Sequence, residues 1–115
     1  MISKKKRVQK FIRWCKRDSD ALKGVKTHVL WNEVALATPE SFGFGVTTFL
    51  NNHVWGVWIA AKWPTKTVMT IIAHEYAHCI QHFRGRDLDE EDAEITAERM
   101  VMAYQQIVKE KKKCK

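Results

Sequence analysis

The segment Thr70 to His82, TIIAHEYAHCIQH, constrains this chain more than any other. It carries H-E-x-x-H, two histidines four positions apart with a glutamate directly after the first. On a helix of about 3.6 residues per turn, positions i and i+4 lie one above the other. His74 and His78 are therefore expected on one side, about a turn apart, where both imidazoles can bind one Zn²⁺. Glu75 sits roughly 100° round the helix, beside the metal, placed to take a proton from a zinc-bound water. Between Val68 and Ile80 the only charged residue is Glu75, and Ile71, Ile72, Ala73, Ala77, Cys79 and Ile80 supply apolar surface on nearly every side. A helix that is apolar all round is buried. Burying two histidines and a glutamate is unfavourable unless they are satisfied, either by hydrogen-bond partners in a core or by a metal.

With 115 residues, 45% of them hydrophobic, the chain is expected to be one folded domain, 1–115, and not disordered. No apolar run reaches the ~20 residues of a membrane span, because Lys62 and Lys66 interrupt the best one. The start Met-Ile-Ser-Lys-Lys-Lys-Arg is not followed by an apolar signal core. Cys15, Cys79 and Cys114 are odd in number and widely spaced, giving neither a disulfide framework nor a zinc knuckle. A cytoplasmic, reducing location is the expectation. The net charge of +7 is uneven: cations crowd Lys4 to Arg17 and Lys109 to Lys115, and acids crowd Asp87 to Glu98. Basic ends suit nucleic acid or another acidic surface, and they also serve as solvated faces and frayed tails.

Taken in order, Lys4 to about Lys23 has helical spacing of Val8, Phe11, Ile12, Cys15 and Leu22, ended by Gly24. Val25 to Ala37 predicts a loose-ended strand, with His28 structural or exposed, and Thr38-Pro39-Glu40-Ser41 the turn after it. Phe42 to Leu50 and His53 to Ala60 predict a hairpin about Asn51-Asn52, with His53 exposed beside the turn. Gly43, Gly45 and Gly56 mark bulges, crowded aromatics or places of close approach. Thr65 or Thr67 can cap the central helix, which runs to about Arg84 with Gly85 as its terminator. Asp87 or Asp89 then caps a last helix to about Lys111. The class is α+β: an N-terminal helix, a small antiparallel sheet with a hairpin, the H-E-x-x-H helix, and an antiparallel C-terminal glutamate helix.

A catalytic zinc takes three protein ligands and keeps one position open. No histidine follows His82, which lies two turns from His74, so the third ligand is expected to be a carboxylate among Glu90, Glu91, Glu94 and Glu98. The chain climbs about seven residues from His78 to the turn and descends a similar count after it, reaching residues 94 to 98. Glu94 borders the apolar stripe of Ala97 and Val101, and Glu98 lies about 40° further out. Glu94 is preferred, Glu98 follows, and whichever does not bind can orient a ligand from one turn away.

The uncharged residues around H-E-x-x-H resemble the zincin metallopeptidases, and the element order looks like a minimal gluzincin. Minigluzincins and ImmA/IrrE-like peptidases are the nearest in kind. In the latter an E-x-x-A-type spacing carries the third ligand, matched here by Glu94-Ile95-Thr96-Ala97 and by Glu90-Glu91-Asp92-Ala93; the thermolysin-like spacing falls on Glu98. The closing Leu-Leu-Met-Pro segment and the helix-turn-helix domain of the ImmA/IrrE group are absent, as is the third histidine of SprT-like proteases. The resemblance spans about residues 42 to 108 and implies hydrolysis of a peptide or protein substrate, with Glu75 as base. It also implies a substrate lying along an edge strand, for which the arm His53 to Ala60 is the candidate, and an oxyanion donor such as Tyr104 or His82. The competing expectation is a basic nucleic-acid- or protein-binding module with a structural zinc.

Overall fold

The computed structural model describes residues 3–17, 19–37, 42–50 and 53–113. The elements are α1 (Lys4–Lys16), β1 (Lys26–Leu30), β2 (Leu36–Ala37), β3 (Phe42–Gly43), β4 (Gly45–Leu50), β5 (His53–Ala60), α2 (Thr65–Phe83) and α3 (Glu90–Lys113). The class is α+β, as the patterning predicts.

α1 begins where the Ser3 hydroxyl accepts from the Lys6 amide at 3.3 Å and buries Val8, Phe11 and Cys15. It stops at Lys16, about two turns before the expected end. Ser19 and Asp20 favour turns over helix, and here Leu22 enters the core from a run of turns. The Lys16 ammonium donates to the Val25 carbonyl at 2.7 Å, fixing the entry to β1.

β5 is the centre of a three-stranded sheet ordered β1-β5-β4. β4 and β5 pair antiparallel, Gly45 opposite Ile59, while β1 and β5 pair parallel, Lys26 opposite Gly56. The sheet is thus mixed, not antiparallel. Parallel pairing needs a long return, and the segment carrying the small β2–β3 ladder provides it. One residue of β5 is extra between its pairs with Thr48 and Phe49, a bulge next to Gly56. Gly56 also makes room for the Trp58 ring, 3.3 Å from where a Cβ would stand, so it serves as both bulge and crowded aromatic. The Asn51-Asn52 and Thr38 to Ser41 turns, the His53 side chain and Cys114 lie outside the described residues.

Val57 and Ile59 of β5 are fully buried, facing the helices with Thr27 and Thr47 beside them. Against them pack Val68, Ile72 and Tyr76 of α2, then Ala97 and Val101 of α3, with α1 closing the end through Val8 and Phe11. α2 has Pro64 at its N-cap and no side-chain cap, so neither threonine plays that part. Its C-terminus is closed by Gly85 at φ 70, whose amide reaches the His82 carbonyl at 3.0 Å while Arg86 reaches that of Gln81 at 2.9 Å. This pair of bonds is a Schellman stop, and its left-handed residue is best filled by glycine. Asp89 caps α3, accepting from the Asp92 amide at 3.0 Å. No helix among the described residues is long and apolar enough to cross a membrane.

Candidate metal centre

α2 presents His74 and His78 on one side, their rings 4.8 Å apart and nearly perpendicular. The carboxylate that meets them is Glu90, at the first turn of α3: Oε2 lies 3.0 Å from His74 Nε2 and Oε1 2.9 Å from His78 Nε2. His78 is buried, His74 partly so, and Glu90 is 81% exposed. One donor atom from each falls within 4.8 Å of the others, so the three form a group able to hold a metal ion. Two imidazoles and a carboxylate are a donor set used by catalytic zinc. Tetrahedral bonds of about 2.0–2.1 Å place neighbouring donors roughly 3.3 Å apart. The two carboxylate–imidazole contacts are a few tenths shorter, while separations within the group extend up to 4.8 Å, so the side chains would have to adjust to close round an ion.

The carboxylate beside the imidazoles is thus that of Glu90 and not the expected Glu94 or Glu98. Both are exposed on α3, one and two turns beyond Glu90, and neither belongs to the group. The height argument assumed that the chain descends from the turn at the helical rise of about 1.5 Å per residue, but extended residues cover more than 3 Å each. By Asp89 the loop has already returned to the level of Gln81, and Glu90 is the next residue. Of the two E-x-x-A matches, the earlier one brings its glutamate to the histidines and buries Ala93 against α2.

Gln81 is what fixes that return, and sequence patterning alone passes it over. Its side chain is 2% exposed. Its Nε2 donates to the Asp89 carbonyl at 3.0 Å and to Asp92 Oδ2 at 2.8 Å, and its Oε1 accepts from the Asp89 amide at 3.0 Å. The same oxygen lies 3.0 Å from His78 Nδ1. An amide oxygen only accepts, so Nδ1 carries a proton toward Gln81, and Nε2, on the side of Glu90, is the nitrogen a metal would take. One residue thus sets the tautomer of a ligand and the start of the helix that brings the carboxylate. The available signal is a glutamine in an otherwise apolar helix, three positions after a candidate ligand.

Glu75 is buried at 8% exposure, under β4. The Thr47 hydroxyl donates to its Oε1 at 2.8 Å. Gly45 passes so close that a Cβ there would stand 2.8 Å from Glu75 Cγ and 3.1 Å from Oε2. The glycine among the strand residues therefore marks a close approach of backbone to the candidate base. Cys79, one turn on, has its thiol pushed up to about 12 by burial and by the charge of Glu75.

The remaining candidates fall elsewhere. Glu91 is exposed on α3. Tyr104 packs against Phe11 at 5.1 Å and Trp14 at 5.3 Å between α1 and α3, a packing role away from the imidazoles. His82 lies edge-on to Phe49 of β4, ring centres 4.9 Å apart. His28 stacks on Trp58 on the other face of the sheet. The arm His53 to Ala60 has both edges paired, so it is no edge strand; β4 is the edge beside α2.

No protein-family model matches the chain, and comparisons with curated proteins and with solved structures return no match.

Proposed function

We propose that the chain is a small zinc-dependent metallopeptidase that hydrolyses peptide bonds, with His74, His78 and Glu90 as metal ligands and Glu75 as general base. The observation that carries this reading is the convergence of two imidazoles and a carboxylate from consecutive helices on α2, which also buries a glutamate, held by Thr47, under an edge strand. A bound Zn²⁺ would polarise the scissile carbonyl and acidify the attacking water. Glu75 would take the proton from that water and deliver it to the leaving amine. Thr47 holds one carboxylate oxygen, so the rotamer is set before substrate arrives, and the other oxygen faces Gly45. Gln81 keeps the His78 proton on Nδ1. An extended peptide would pair with the free edge of β4, the backbone mode of recognition. Exposed Phe44 and Phe49 near its two ends offer apolar contacts.

The test is metal content together with cleavage of an unfolded protein substrate, for the native chain and for Glu75→Gln. Zinc bound by both and hydrolysis by the native chain alone is the expected result. Equal hydrolysis by both removes Glu75 from the chemistry, and an inert native chain that holds zinc reduces the site to a structural one.

A further inference from the structure

α1 carries Lys4, Lys5, Lys6, Arg7, Lys10, Arg13 and Lys16 and no acidic residue. Lys4 and Lys16 are committed to the fold, donating to the Ala61 and Val25 carbonyls at 2.6 and 2.7 Å. Lys6, Arg7, Lys10 and Arg13 are exposed, and among the described residues none of them pairs with a carboxylate. Lys6, Lys10 and Arg13 follow one another along one face at steps of about a turn. Their field is uncompensated over the length of the helix.

Beside this face a groove of about 400 Å³ runs between α1 and β1. Ile12, Val29 and Trp31 give it an apolar lining, and Gln9, Arg13 and Lys16 bring polar groups to it. The Lys5 ammonium stands 5.8 Å from the centre of the Trp31 ring, so this half-buried indole, packed against the core, also meets a flexible cation. A planar π-system can displace that lysine, freeing it for a neighbouring anion.

We propose that the α1–β1 groove binds single-stranded nucleic acid, with a base against Trp31 and the phosphate chain on Lys6, Lys10 and Arg13. Charge complementarity selects a polyanion. The aromatic face beside the cations selects one whose units alternate a phosphate with a planar ring. An acidic peptide would use the cations and leave the indole without a planar partner, and a duplex keeps its bases stacked inside. The inference does not rest on the peptidase reading, because none of these residues belongs to the metal group.

The experiment is fluorescence anisotropy of labelled oligodeoxythymidylate with the full chain over a range of salt. A duplex of the same length and a polyglutamate serve as competitors. The expected result is single-strand binding that quenches tryptophan emission, resists both competitors, and has a log–log salt slope of about −2 for three phosphate contacts. Lys10→Glu with Arg13→Glu, both on the solvent side, should lower the affinity and flatten the slope. Trp31→Leu should weaken binding roughly 5- to 100-fold with the slope retained. Absence of binding at low salt, equal displacement by duplex or polyglutamate, or indifference to the Lys10 and Arg13 reversals would each overturn the assignment. Circular dichroism of each variant separates loss of fold from loss of contact.

Discussion

Glu90 and Gln81 have different parts in the candidate site: one brings a carboxylate to the imidazoles, and the other holds the loop that places it. Removing the donor with Glu90→Gln should lower zinc affinity at least tenfold in a chelator competition, while Glu94→Gln and Glu98→Gln leave it unchanged. The opposite pattern would return the third ligand to the middle of α3. Gln81→Met keeps the volume and removes every polar contact, leaving the His78 Nδ1 proton and the Asp89 amide without their acceptor. A loss of about 10- to 100-fold in zinc affinity is expected, the range for groups that orient a ligand. Stability should fall by about 1–3 kcal/mol, the penalty for stranding buried donors. Zinc affinity unchanged beside a lowered melting temperature would confine Gln81 to a structural part.

At the scale of elements, β4 and α2 are matched through one missing side chain. Gly45→Ala would bring a methyl to 2.8 Å from Glu75 Cγ. Either the strand lifts or the carboxylate swings out of its Thr47 bond, and overpacking of this kind costs about 1–3 kcal/mol. Peptide hydrolysis should fall by more than zinc affinity, because the metal ligands stand on other positions. This element also marks where reading the sequence succeeds and where it stops. The helix pair, the imidazoles on one face, the hairpin arms, the Gly85 stop and the Asp89 cap follow from local rules of period and turn chemistry. The parallel partnership of β1 with β5 does not, since no local pattern states which strand pairs with which. That pairing moved the edge from β5 to β4. That Glu90 and not Glu94 meets the histidines has a similar cause: the path of a loop depends on Gln81, whose partners lie eight and eleven positions away.

For the whole molecule, alkali is the informative stress. Burial pushes the Cys15 thiol from 9.0 up to about 12. The native state therefore keeps its proton where the unfolded chain has released it, so native stability falls as pH rises above about 9. Between neutrality and that point this group adds no slope. Thermal melts across the alkaline range should show the decline, and Cys15→Ala should lessen it, leaving the share of buried Cys79 and Tyr76, while lowering the plateau. Thiol reagents should modify Cys15 in the native protein only as fast as the chain unfolds, since burial keeps the thiolate scarce. Fast labelling under native conditions would mean that α1 detaches readily from the core.

Of the three candidate donors, two stand on the largely buried middle of a helix, and the third is four-fifths in water on a single flexible arm. An ion reaching this group would meet that movable side chain at the surface, with no parting of helices. On the proposed zinc reading, loading and stripping should be quick, with occupancy following the free zinc concentration.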